Sequence, residues 1–376
     1  MKGILLLIPL VLTLSVLCAQ DPSGSENIFV ITIDGFRWQE IFSGADSHLI
    51  SDPRFVMDTA LTRQLFWDSS AEMRRKKLMP FLWNIIASQG QIYGNRLLGN
   101  KADVLNWSRI SYPGYNEMLT GYTDPVCIPN IPVNNPNISV LEFLNSKKAF
   151  AGRVAAFSSW NLFPAILNEK RSRLPLNSGY QPLPESMEGE ERGSINQVQG
   201  GVVQKKNTRS DMLTFLCARE YIQQHHPRVL FLGFGQNDEF AHAGRYDLYL
   251  EQAADIDRMV AELWYYVQTD PLYKGHTTFL ITTDHGRGAN PSTWHTHGLF
   301  TPGSSNTWIA LLGPAILPVG EMTAVQHTYQ KQIAATIASL LGETFQSAHA
   351  IGKPMELPAA LSEKKPAAPR AEVASK

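Results

Sequence analysis

Apolar runs that stop at an acid, a glycine or a turn alternate with amphipathic stretches along most of the chain. "NIFVITIDGF" (Asn27–Phe36), "RVAAFSSW" (Arg153–Trp160), "RVLFLGFG" (Arg228–Gly235), "HTTFLITT" (His276–Thr283) and "NTWIALLGPAI" (Asn306–Ile316) each contain a short apolar run. These predict strands, with Asn27–Phe36 and Arg228–Gly235 of the fully buried type. "QIYGNRLLG" (Gln91–Gly99) predicts a strand or extended segment. Apolar residues recur at helical spacing near Met79–Ser88, in Ile138–Lys148, Asp211–His226 and Leu248–Thr269, and in Tyr329–Gly342, where Gly342 is the expected C-terminal stop. "SYPGYNEMLTG" (Ser111–Gly121) reads as a turn running into a short helix. Strands alternating with helices imply a layered α/β domain around a mainly parallel sheet.

Three segments break the alternation. Residues 1–19 join one lysine to an apolar run and a small-residue end, the pattern of a secretory signal. Lipid attachment at Cys18 is a weaker reading, because bulky Leu17 precedes it. A periplasmic or secreted protein is expected, with no transmembrane segment in the mature chain. Residues 168–209 are polar and rich in Gly and Pro, and are expected to form an inserted loop region or small cap, or a disordered excursion, within a catalytic domain spanning 20–350. Residues 351–376, rich in Pro, Ala, Lys and Glu, read as a flexible tail. The 376 residues carry a formal net charge of -1, so no bulk basic field draws duplex nucleic acid. Export permits a Cys127–Cys217 disulfide, but two thiols cannot make a disulfide scaffold.

Acids cluster where the apolar runs end. "FVITID" delivers Asp34, "VLFLGFGQND" delivers Asp238 and "TFLITTD" delivers Asp284. In open parallel sheets ligands bind beyond the carboxyl ends of strands. Histidines accompany the acids: His242 in "DEFAH", His285 beside Asp284, and His295 and His297 shortly after. Carboxylates gathered without a counter-charge raise one another's pKa, and divalent cations remove that penalty. Mixed Asp and His donors without thiolate suit zinc, and less selectively manganese or iron.

The ordered motifs "VITIDGF", "SYPGYNEMLTG", "DEFAHAG", "TTDHGRG" and "HTHG" resemble the alkaline phosphatase superfamily, nearest to its type I phosphodiesterase/nucleotide pyrophosphatase branch, over Asn27–Leu341. The resemblance implies an alkaline phosphatase-like three-layer α/β/α sandwich and two divalent metal ions, Zn2+ by the family's habit. It implies Asp34, Asp284 and His285 at the first metal, with Ser111 as the nucleophile it activates. It implies Asp238, His242 and His297 at the second, with His295 as the fallback for His297. Ser111 in "SYP" stands where the family places its nucleophile at a helix start, and a covalent phosphoserine is implied. Formylglycine sulfatases share Cys/Ser-x-Pro-x-Arg, whereas Tyr115 fills the Arg position here.

The expected reaction is therefore hydrolysis of a small phosphorylated substrate, nucleotide-like in its organic part, with diesters favoured. Phosphomonoesters are the alternative. A sulfatase or phosphonate hydrolase and a non-catalytic metal-containing binding protein rank lower. Family diesterases use an Asn to hold a phosphate oxygen, and Asn130 is favoured over Asn134 and Asn135. Arg109, Arg287, Lys101 and Lys170 are candidates for the cation of a monoesterase, with Arg287 as readily a loop brace. Tyr112, Tyr115 and Trp160 are candidates to flank an organic group, or to pack in the core.

Overall fold

The computed structural model describes residues 25–126 and 128–358. The leader, Cys18, Cys127 and residues 359–376 lie outside them, as does any Cys127–Cys217 pairing. Eleven strands are named in chain order: β1 Asn27–Ile33, β2 Gly90–Tyr93, β3 Asn100–Asp103, β4 Val154–Ser158, β5 Leu176–Ser178, β6 Val229–Phe234, β7 Thr277–Thr282, β8 Asn306–Thr307, β9 Ile309–Leu312, β10 Gly320–Glu321 and β11 Gln326–Tyr329. The main sheet has the order β10-β2-β9-β7-β1-β6-β4-β5. Only β9 among them runs against the rest, antiparallel to both β7 and β2. β3 lies between β8 and β11 in a second, three-stranded sheet.

β1 sits at the centre, in parallel register with β6 (Ile33 opposite Phe234) and with β7 (Thr32 opposite Thr282). Every residue of β1, β6 and β7 is buried. Alternate side chains of β1 serve two cores. Phe29, Ile31 and Ile33 pack beneath the helices Asp211–His225 and Tyr246–Thr269. Ile28 and Val30 pack beneath Ser111–Thr120, Val140–Asn145 and Ile333–Leu340. A helix layer on each face of a largely parallel sheet completes the α/β/α sandwich, as the uninterrupted apolar runs predict. Gly342 follows the last helix at φ 74, the left-handed conformation expected of a C-terminal stop.

Three expectations change. The helix expected over Met79–Ser88 is a π-turn at Leu82–Ile86 extended by Ala87–Gln89, preceded by a separate helix Ala71–Leu78. Pro80 lacks a donor, and buried Asp257 accepts from Phe81 N (2.7 Å) and Leu82 N (3.0 Å) where the chain restarts. Residues 168–209 are neither a loose excursion nor a simple cap. They supply edge strand β5, paired with β4, and a helix Glu190–Gly201 resting on Asp211–His225. Buried Arg209 ties these parts together, donating to Asn177 Oδ1 (2.8 Å), Gln199 Oε1 (2.9 Å) and Thr214 Oγ1 (3.0 Å). The tail does not begin at 351: Met355 is in the core, and the Gly352 and Met355 amides bond Gly121 O and Thr336 Oγ1 at 2.9 Å.

Candidate metal centre

Three neighbouring strands, β7, β1 and β6, deliver Asp284, Asp34 and the Gly235–Asp238 turn to one edge of the sheet. The Asp34 turn needs the glycine after it. Gly35 has φ 58, and a Cβ there would meet Arg287 Nε and Asp238 Oδ1 at 2.8 Å. Ser111 opens the helix Ser111–Thr120, and that helix lies against β7: a Cβ on Gly114 would meet Asp284 O at 2.5 Å. The loop before it is anchored by buried Glu117, which accepts from the amides of Leu105 (2.9 Å) and Asn106 (2.7 Å).

Two groups of donor atoms result. Oxygens of Asp34 and Asp284 and a ring nitrogen of His285 lie within 4.8 Å of one another, all buried. His285 Nε2 stands 3.6 Å from Asp34 Oδ1, 3.3 Å from Asp284 Oδ2 and 3.2 Å from Ser111 Oγ. Asp238, His285 and His297 form the second group at the same spacing. His242 Nε2 joins it, 3.1 Å from Asp238 Oδ2 and 3.0 Å from His297 Nε2. The His285 and His297 rings stack at 3.9 Å, so the two groups share a wall. His295 joins neither group; its ring lies 6.0 Å from Phe55 and 6.1 Å from Trp294, centroid to centroid.

These residues fit metal ions by their unmet needs. Asp34 Oδ1 and Asp284 Oδ2 are buried and take no hydrogen bond. Burial, then the neighbouring Asp284 charge, pushes the Asp34 carboxyl up. Burial raises Asp284 to about 7. Burial also lowers His285 and drives His297 well below its ordinary value, so both imidazoles are neutral with lone pairs available. Acids short of positive charge beside neutral imidazoles are what bound divalent cations would relieve.

Other groups aim these side chains. Tyr115 Oη donates to Asp34 Oδ2 (3.1 Å), leaving Oδ1 open, while Gly35 N occupies Asp284 Oδ1 (3.0 Å). Arg109 O lies 3.1 Å from His297 Nδ1, which turns Nε2 towards the centre. Arg109 adopts φ 52 to present that carbonyl, and its own amide bonds Asn106 Oδ1 (2.8 Å). Arg287 is a brace. Its buried guanidinium donates to Gly35 O (3.0 Å), His295 O (2.9 Å), Asp238 O (3.2 Å) and Asp238 Oδ1. Buried Asp211, which sequence reasoning missed, accepts from Gly235 N (2.8 Å) and Gln236 N (3.1 Å) and fixes the turn before Asp238.

A cavity of about 200 Å³ opens before Ser111, walled by Asn130, Trp160, Leu162, Thr208 and Glu239 as well as the acids. Asn130 Oδ1 accepts from Tyr112 N (2.9 Å), and no described group bonds its amide nitrogen. Asn135 is buried and bonded to Asn116, and Asn134 is exposed away from the cavity. No arginine or lysine lines it among the described residues; Lys101 and Lys170 are surface groups elsewhere. Of the aromatic candidates Trp160 alone lines it. Tyr112 and Tyr115 are core residues, Tyr112 Oη donating to Val133 O (2.7 Å). Cys217 is buried, with Arg209 and Gln199 at its sulfur and no disulfide partner among the described residues.

Comparison with known proteins follows the same lines. Residues 167–341, just under half of the chain, match the Metalloenzyme superfamily. That span holds Asp238, His242, Asp284, His285 and His297; the fold adds Asp34 and Ser111 from outside it. No protein of curated function matches in sequence. Among solved structures, wild-type alkaline phosphatase PafA is similar at 10% identity and TM-score 0.59, over 88% of this chain and 98% of that one. The lipoteichoic acid synthase LtaP from Listeria monocytogenes is similar at 11% identity and TM-score 0.55, over 86% and 73%. BT1596, a 2-O GAG sulfatase, is similar at 12% identity and TM-score 0.55, over 88% and 73%. At such identities the likeness is one of fold, here the alkaline phosphatase-like sandwich. No helix of the described residues is long and apolar enough to cross a membrane.

Proposed function

We propose that the chain is an exported, metal-dependent phosphodiester hydrolase of the alkaline phosphatase superfamily with Ser111 as nucleophile, a reading supported by the match of residues 167–341 to the Metalloenzyme superfamily. Asp34, Asp284 and His285 hold one divalent ion, and Asp238, His242 and His297 the other, zinc suiting this donor set. Such ions supply charge for the phosphate oxygens and lower the pKa of an attacking hydroxyl. Ser111 Oγ forms a bond to phosphorus as the bond to the departing alcohol breaks. The serine hydroxyl proton ends on that alcohol, and water then cleaves the Oγ–P bond of the serine-bound phosphoester, releasing the phosphomonoester and restoring the Ser111 hydroxyl. The helix N-terminus beneath Ser111 favours an anion there, and the free amide of Asn130 is a donor for a non-bridging oxygen.

One observation carries this reading: two sets of Asp and His donor atoms gathered around the Ser111 hydroxyl from distant parts of the chain. Diesters are favoured over monoesters because, among the described residues, no cationic side chain lines the cavity to meet a dianion. Superfamily folds serve phosphate and sulfate esters alike, so the fold does not choose between them. Tyr115, in place of the maturation arginine, argues against a formylglycine sulfatase. The test compares an aryl diester, an aryl monoester and an aryl sulfate on zinc-loaded protein. Ser111→Ala is expected to cut diester turnover by about 1,000-fold or more, with both metals retained. Substantial turnover in that variant, or preference for the sulfate, would reject the assignment.

A further inference from the structure

The cavity before Ser111 contains a carboxylate that phosphoester chemistry does not need. Glu239 is exposed on the cavity wall and forms no ion pair among the described residues. Its Oε1 accepts from Thr208 Oγ1 (2.8 Å), and no described group bonds its Oε2. Thr208 is set opposite Trp160 by an isolated antiparallel bridge, reinforced by Asn161 N to Asn207 O (2.9 Å) and Arg209 N to Ser159 O (2.8 Å). Glu239 and the half-buried Trp160 are thereby fixed on walls of one cavity. An acid in the first turn of a short helix is unremarkable by itself, since it suits the helix dipole. Here it also lines the place of an anionic substrate, in a cavity where the described residues supply an aromatic ring and no basic side chain.

An unpaired carboxylate repels a phosphate anion unless the substrate brings its own positive charge. An aromatic face and a carboxylate in one pocket are a recognition pair for ammonium groups. We infer that Glu239 and Trp160 form a subsite for a primary or quaternary ammonium carried on one organic arm of the diester. This deepens the phosphodiesterase reading and rests on it. Thr208 is the positioning residue, holding one carboxylate oxygen while no described group bonds the other.

The test uses the zinc-loaded full chain with p-nitrophenyl phosphorylcholine, which carries a quaternary ammonium, and bis(p-nitrophenyl) phosphate, which carries none. The wild type is expected to prefer the first in kcat/KM. Glu239→Gln and Trp160→Ala should each lower that preference ratio by about tenfold, chiefly through KM, with two metals still bound per chain. Free choline should inhibit competitively, and glycerol at equal concentration should not. An unchanged ratio in both variants, or inhibition by glycerol and not choline, would overturn the subsite while leaving the hydrolase intact. Absence of turnover with either diester would instead sink the phosphodiesterase reading beneath it.

Discussion

At the scale of single residues, Tyr115 shows how much of a candidate metal site lies outside its donor groups. Its hydroxyl occupies one oxygen of Asp34 and leaves the other open towards His285. Tyr115→Phe is expected to weaken metal retention about tenfold, the usual cost of losing such an orienting bond. Competition with a chromogenic chelator measures it, and excess zinc should restore much of the lost turnover. Ligand candidates were readable from the sequence because each acid ends a run that had to be buried. Tyr115 was not, since a tyrosine at helical spacing reads as a core residue, and it is one, apart from its hydroxyl. Arg287 was ambiguous for a similar reason: only the fold shows its donors spent on backbone carbonyls and on the Asp238 carboxylate, outside the cavity lining.

Elements hold the site through close contacts that a sequence barely hints at. The helix carrying Ser111 reaches the Asp284 backbone because position 114 has no side chain. Gly114→Ala would drive a methyl against that carbonyl, and is expected to destabilise the fold by about 1–3 kcal/mol. Because Ser111 moves with the helix, turnover should fall more than tenfold; denaturant melts and steady-state rates check both. Asp257 makes a pH-dependent joint between the helix Tyr246–Thr269 and the restart after Pro80. Burial raises its pKa from 3.8 to about 7, so the folded state holds this proton more tightly than the unfolded chain between those values. Its contribution is full below about pH 4 and is lost as pH rises through 7, on the order of 4 kcal/mol at most. Urea midpoints of wild type and Asp257→Asn, compared from pH 4 to 8, should diverge with that sign. The polar segment 168–209 misled sequence reading because its order comes from one buried arginine bonded to neutral partners, not from an apolar stripe.

At the scale of the whole molecule, the sheet itself was the most legible feature, since parallel strands covered on both faces leave long apolar runs. The reversed strand β9 was not legible, because pairing direction leaves no mark on a short run such as Ile309–Leu312. Metal removal should be felt by the entire fold. Ions that bind only the folded chain stabilise it by about 2.7 kcal/mol when free metal exceeds Kd a hundredfold, so chelation should lower the melting temperature measurably. The central pairing of β1 with β7 gives this coupling its character. The bond from Gly35 N to Asp284 Oδ1 joins positions 249 apart in the sequence. A nascent or nicked polypeptide that has made only one of these two strands owns half a cage. Cation capture by Asp34, Asp284 and His285 would therefore come after β1 and β7 have met, and folding in a metal-free compartment would leave that set assembled and ready to be charged afterwards.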